Sequence, residues 1–364
     1  MVNRFPPTVL AVACVVMIAV LPKSAYALPI FAHEYGLSCQ KCHTAIPALS
    51  DFGRAFLANG YHVPASAPGA TFPVAVKVNF LDTSAPGSGL PKAVIDEIEL
   101  LTAGTLGPRA NYFFEQYVLD GGLHGNIREA WVGSFVTSLD ARIPIYVRGG
   151  QFTLPVPVDP ESFRESAAHY AVFDQTIGAN TFNFFDPKFG VSARLGQTDR
   201  GFNLELSALN GHDPQNGLPT IGLDTMAVLH DVMGPFDLSV YRYAGRRGEA
   251  SDTFTRTGIG LRYNHGRWTS ESVLQENRDA NADGRGTAEH SSGGFTQLRY
   301  AITPKLFTLA RVDGTQAATN GFTRSLTTLL GYRLSHNARV TLEDVLVRAP
   351  RTTHTFASQL TIAY

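Results

Sequence analysis

The sequence predicts an all-β fold: an antiparallel β-barrel of the outer-membrane type with about 16 strands, and a small α-helical domain ahead of it. Three observations carry that reading. An export signal opens the chain, apolar residues alternate with a period of two from residue 72 to the end, and the connections between the alternating segments switch between short and long. Strands give the period of two, and an asymmetry of loop length belongs to barrels that thread a membrane.

The first element is the signal. Arg4 supplies a positive start, "TVLAVACVVMIAVL" (Thr8–Leu21) an apolar core, and Ala25-Tyr26-Ala27 a small-x-small cleavage site. Residues 1–27 are therefore expected to be removed, and Cys14 with them. The 364 residues carry 30 basic and 31 acidic side chains, a balance that argues against a nucleic-acid partner. Charged residues make up 17%, below the usual quarter of a soluble domain. No later stretch approaches the eighteen apolar residues of a membrane-spanning helix.

The barrel is read over residues 72–364. "FPVAVKVNF" puts Phe72, Val74, Val76, Val78 and Phe80 on one face, with Ala75, Lys77 and Asn79 on the other. Strands are expected to begin near residues 72, 93, 109, 125, 143, 188, 200, 221, 236, 254, 267, 292, 305, 323, 338 and 354. The last, "TFASQLTIAY", keeps Phe356, Leu360, Ile362 and Tyr364 in phase. A terminal in-phase aromatic resembles the C-terminal signature of bacterial outer-membrane barrels. "LGPRA", "SLDAR", "GQTDRG", "MGPF", "YNHGR", "ITPK" and "SHNAR" are the tight connections, and "DTSAPGSGLPK" and "NRDANADGRGTAEHSS" are among the long ones. Every tight turn joins an even-numbered strand to the next odd one, which places both barrel ends in the periplasm. One connection, from Leu154 to about Pro187, is long enough to fold inward as a constriction. A soluble β-sandwich also alternates, but explains neither the signal nor the loop asymmetry.

Between signal and barrel lies "SCQKCH" (Ser38–His43). Cys-x-x-Cys-His is the attachment motif of a c-type haem. Cys39 and Cys42 would form the two thioethers, and His43 would bind the iron on its proximal side. A thioredoxin-like pair needs an α/β context, and a zinc site needs further close Cys or His ligands. Residues 28–71 are thus read as a monohaem cytochrome c domain, too small to hold a core without a staple. "PALSDFGRAFLANGY" predicts a helix from about Ala48 to Ala58, ended by Asn59-Gly60, with Leu49, Phe52 and Phe56 on one face toward a porphyrin. Arg54 could meet a haem propionate. The segment has no Met, so the distal iron ligand is expected to be His62, with His33, Met226 and Met233 as alternatives.

"FAHEYGLSCQKCHTAIPALSDFGRAFLANGY" (Phe31–Tyr61) resembles the N-terminal segment of the cytochrome–porin fusion family, in which a monohaem c-type cytochrome precedes an outer-membrane barrel. The resemblance rests on Cys39, Cys42 and His43, then Pro47, Leu49, Phe52-Gly53-Arg54, Phe56 and Gly60-Tyr61. It implies a haem domain held in the lumen, electrons entering from an extracellular donor such as Fe(II), and a soluble periplasmic c-type cytochrome as acceptor. The alternative is a porin for small solutes or anions whose haem domain is an accessory plug or sensor. Haem catalysis such as peroxide reduction would need distal acid–base groups that the sequence does not identify. Finally, "DANADG" fits the first half of a calcium loop, with Asp279, Asn281 and Asp283 as ligands. Asp279, Asp283, Glu289 and His290 could instead make an Fe(II) landing site.

Overall fold

The computed structural model describes residues 31, 35, 37–62, 74–84, 92–138, 141–210, 222–247, 252–317, 321–349 and 352–363. The expected signal peptide, His33, Phe72 and Tyr364 lie outside the described residues.

Sixteen antiparallel strands close into one barrel. They are β1 (Ala75–Ser84), β2 (Lys92–Thr105), β3 (Ala110–Asp120), β4 (Ile127–Phe135), β5 (Ile145–Phe152), β6 (Lys188–Gly196), β7 (Gly201–Asn210) and β8 (Leu223–Met233). β9 (Phe236–Arg247), β10 (Asp252–His265), β11 (Trp268–Asp279), β12 (Glu289–Ala301), β13 (Leu306–Ala317), β14 (Gly321–Arg333), β15 (Ala338–Arg348) and β16 (Thr352–Ala363) complete it. A short pair, Leu123–His124, prolongs the hairpin between β3 and β4. Closure comes from β16 against β1, with Phe356 opposite Ser84 and Ala363 opposite Lys77. No strand edge is left open, which is the condition for crossing lipid with strands.

The side-chain pattern is inside out. Along β7, Phe202 and Leu206 are 69% and 47% exposed, while Asn203, Glu205 and Ser207 are buried. β12 repeats this, with Leu298 exposed between buried Gln297 and Arg299. In water such an apolar surface would be a liability. Facing acyl chains it is the stable arrangement, and the polar face turns to the lumen. The tight turns join the even-numbered strands to the next odd ones, as the sequence indicated. At the opposite end the expected contrast is weaker. β9, β13 and β15 run on to Arg247, Ala317 and Arg348, so pairing consumes much of what the sequence assigned to long loops.

Residues 153–187 cross the lumen between β5 and β6, and the wall holds them at many points. The Glu343 carboxylate accepts from the Ala167 and Ala168 amides at 3.1 and 2.9 Å. Arg311 donates to the Ala168 and His169 carbonyls, and Arg299 pairs with Glu165 at 2.9 Å. Across the barrel, Arg128 donates to the Phe185 carbonyl at 2.7 Å and Asn180 to Asp279 at 2.6 Å. Tyr170, Phe173, Phe182 and Phe184 pack with wall residues Tyr241, Tyr243, Phe254 and Phe295 into one core. Tyr243 is 0% exposed and Phe173, Phe184 and Tyr241 are each 1% exposed, so water does not enter this cluster.

Candidate functional site

The segment carrying Cys39, Cys42 and His43 sits at the tight-turn end, where β1 begins and β16 ends. Helix α1 (Cys39–Cys42) holds both cysteines, and a two-strand ladder (His43–Ala45 with Ala48–Leu49) turns the chain toward α2 (Asp51–Ala58). The expected helix start at Ala48 is therefore corrected to Asp51, because Ala48 and Leu49 pair with the strand after the motif. The stop signal is Ser50. Its hydroxyl accepts from the Gly53 amide at 3.0 Å and donates to the Lys41 carbonyl at 2.6 Å, capping α2 and tying it to α1.

Gly53 lets the two helices meet. A Cβ there would stand 2.0 Å from the Cys42 carbonyl oxygen. At the other end, Tyr61 N–H bonds Phe56 O and Gly60 N–H bonds Leu57 O, a Schellman closure with Gly60 at φ 64°. These bonds explain Gly53 and Gly60 in local terms.

His43 is oriented by the same ladder. Its Nδ1 lies 3.1 Å from the Pro47 carbonyl, where an Nδ1–H donates and anchors the ring. Burial pushes the imidazole below its ordinary pKa, against the opposing bonds to Pro47 and Ala48. A neutral imidazole with one nitrogen anchored is what iron ligation needs. His43 faces a cavity of about 540 Å³ inside the lumen, within the size range of cofactor sites. Leu49, Leu57 and Tyr61 line it from the plug, and Leu154 and Val156 from the crossing segment. Arg148, Arg194 and Arg54 bring positive charge. His43 and the apolar lining fit the iron side of a haem attached at this motif, whereas Cys42 is not among the lining residues. Cys42 packs on the aromatic core; the Cys39 side chain lies outside the described residues.

Several expected roles move. Phe52 and Phe56 do not line the cavity; they stack on each other, and Phe56 packs against Phe31, Tyr35 and Tyr61. The Schellman turn presents Tyr61, not His62, to the cavity. His62 has its Nε2 enclosed with no hydrogen-bond partner among the described residues, and burial lowers its pKa. Met226 is buried in the wall core and Met233 is exposed at the tight-turn end of β8, and neither lines the cavity. Arg54 is held by Asp51 and the Leu49 carbonyl, and burial beside Arg262 brings it down to about 10.

The side chains expected of a calcium loop make other contacts. Asp279 points into the lumen and binds Arg256 at 2.8 Å and Asn180 at 2.6 Å. Asn281 accepts from Gly286, and Asp283 from Arg285 and Thr287. Glu289 is buried and His290 exposed on opposite faces of β12, because they are neighbours in a strand. Among the described residues no group of three His, Cys, Asp or Glu is placed to hold a metal.

The alternation could have pointed to further cavity residues. Glu99, Glu115 and Glu129 sit on neighbouring strands, with Glu115 directly opposite Glu129 and all three on the cavity wall. A register shift beside Glu115 turns both Arg128 and Glu129 inward. Arg148 and Glu205 pair at 3.0 Å on the adjoining wall.

No family model matches the chain, and no curated protein matches it. Solved structures do. An anion-selective porin from Comamonas acidovorans superposes with a TM-score of 0.63 at 11% identity, covering 80% of this chain and 98% of its own. OmpF of Salmonella typhi, solved with daunomycin, gives 0.61 at 11%, covering 80% and 97%. The outer-membrane channel DcaP of Acinetobacter baumannii gives 0.57 at 12%, covering 80% and 96%. The chain folds as an outer-membrane barrel. Identity this low speaks to the fold alone.

Proposed function

We propose that this outer-membrane barrel is a c-type haem electron carrier, taking electrons from an extracellular donor, Fe(II) above all, and delivering them to a soluble periplasmic c-type cytochrome. One observation carries the reading: the imidazole of a Cys-x-x-Cys-His motif, anchored through Nδ1 on Pro47, faces a cavity inside the lumen. Haem c, when bound, supplies a one-electron couple there. Cys39 and Cys42 would hold it covalently, and His43 Nε2 would ligate the iron. Leu49, Leu57, Leu154 and Val156 would give it an apolar wall.

The packed lumen supports this reading over free diffusion. An electron can pass through dense protein, whereas a solute needs an open path, and the crossing segment fills that path with aromatic side chains. The second reading, a porin for small solutes or anions with an accessory haem plug or sensor, is favoured by the likeness to porins. Protein matured with the haem-attachment machinery separates the two. The carrier reading expects one covalent haem per chain in a pyridine haemochrome assay, lost in Cys42→Ala, and no steady conductance in planar bilayers. A conducting, haem-free barrel would establish the porin instead.

A further inference from the structure

The tight-turn end of the barrel is ringed by cations. Arg109 lies in the β2–β3 turn, Arg142 between β4 and β5, Arg200 between β6 and β7, Arg267 between β10 and β11, and Lys305 between β12 and β13. Lys41, on α1, stands within that ring. All six are exposed, and none is in an ion pair among the described residues. The carboxylates of this end are fewer or engaged. Asp51 pairs with Arg54 and Asp237 with His230 at 3.1 Å; Asp199 and Asp231 remain, and Asp140, two residues before Arg142, lies outside the described residues.

The ring frames one particular surface. Ser38, Gln40, Lys41 and Thr44 are exposed, so the chain around the Cys-x-x-Cys-His motif meets solvent here. Gln40 bonds His336 at 2.9 Å, Asn264 donates to Asp51 at 2.6 Å, and Arg333 reaches the Thr44 carbonyl at 3.3 Å. These three bonds fix the plug in the mouth of the barrel, level with the basic turns. Arg194 adds a fourth, to the Ala58 carbonyl at 2.6 Å.

We infer that this face is the docking surface for an acidic soluble electron-carrier protein, which meets the plug at α1 inside the ring of Arg109, Arg142, Arg200, Arg267 and Lys305. The inference rests on the haem reading for the carrier's purpose, but its surface chemistry stands apart from it. Single rim ion pairs are weak, about 0.2–1 kcal/mol each. A rim with an excess of one sign instead raises the encounter rate and orients an oppositely charged partner. Lipid phosphates are the competing anions. They meet the barrel from the side, however, whereas Lys41 belongs to the plug within the circle of strands, away from any headgroup. Haem c, if held by Cys39, Cys42 and His43, would supply a one-electron couple to a partner docked here, an exchange that needs no bond change and no proton.

The test is binding in neutral phosphatidylcholine nanodiscs. The acidic soluble domain of cytochrome b5 is the probe, and a basic mitochondrial-type cytochrome c is the control. The inference expects the acidic probe to bind and the basic one not to. Affinity should fall about tenfold or more as salt rises from about 20 to 200 mM. The triple variant Arg142→Glu, Arg267→Glu, Lys305→Glu should weaken binding at least about tenfold, and Lys41→Glu alone a few-fold. All four sites are exposed, so assembly is checked by heat-modifiable mobility. Equal binding by wild type and triple variant, or preference for the basic probe, overturns the inference. So does a triple variant that changes only retention on anionic vesicles, which would make the ring a lipid anchor. His43→Ala, run in parallel, should bind the acidic probe like wild type. A chain without covalent haem but with intact binding would therefore fail the haem reading alone.

Discussion

Replacing Gly53 by alanine should undo the haem segment while sparing the barrel. The added Cβ would stand 2.0 Å from the Cys42 carbonyl oxygen and 2.9 Å from its carbon, where ordinary contact begins at 3.4 Å. Both obstacles are backbone, so relief requires α1 and α2 to separate by well over an ångström. Separation breaks the Ser50 bonds to Gly53 and Lys41. Overpacking of this kind costs about 1–3 kcal/mol, and the lost cap adds about 1 kcal/mol. α2 has eight residues, too few to persist without its packing. A loss of about 3 kcal/mol shifts the docked equilibrium more than a hundredfold. The assay is haem per chain by pyridine haemochrome after maturation, beside heat-modifiable mobility to report barrel assembly. Gly149→Ala, whose Cβ would meet Val191 Cγ1 at an ordinary 3.6 Å, is the control. Wild-type haem content and melting in Gly53→Ala would refute the packing argument.

Three further outcomes follow from the geometry. Ser50→Ala removes one acceptor and one donor between α1 and α2 and should lower the melting of the plug by about 1–2 kcal/mol, read by protease nicking within 37–62; undiminished resistance would count against the cap. Glu343→Ala strips two half-buried amides of their acceptor, at about 1 kcal/mol each, so planar bilayers should record opening events that the wild type lacks, and silent traces from the variant would contradict the latch. Burial alone would raise the Glu161 carboxyl, but Arg164 and Arg128 outweigh it and hold it down at about 2; its stabilisation, on the order of 3 kcal/mol, is complete above pH about 4.5 and lost as pH falls toward 2, so conductance should appear in that acid window and an acid-independent closed state would speak against it.

The barrel was legible because its code is redundant. Sixteen segments repeat the same alternation, and each tight turn carries its own Gly, Pro, Asn or Asp, so a start misplaced by two or three residues leaves the topology intact. The ends were less legible. β9 and β13 continue through residues such as Arg246 and Gln316 that the sequence alone assigns to loops, because pairing with a neighbour overrides their local preference. The haem motif is local and its spacing survives intact. What surrounds it depends on contacts distant in sequence. Phe56 faces Phe31 and Tyr61 rather than the cavity because the turn at Gly60 sets Tyr61 there. Asp279 looked like a calcium ligand within its hexapeptide, but it is the partner of Arg256 and of Asn180, ninety-nine residues away. Inward carboxylates such as Glu115 and Glu129 were visible in the alternation but not singled out, since nothing local distinguishes them from other lumen residues.

The claim that electrons cross the membrane through this plugged barrel is tested most directly in sealed vesicles holding oriented, haem-loaded protein. Fe(II)–EDTA, which does not cross lipid, is added on the side of the outer loops, and the haem absorbance is followed. The account predicts reduction of the haem from that side, followed by reoxidation when a soluble cytochrome is enclosed on the tight-turn side. Reduction that occurs only when the reagent is placed on the tight-turn side would contradict it.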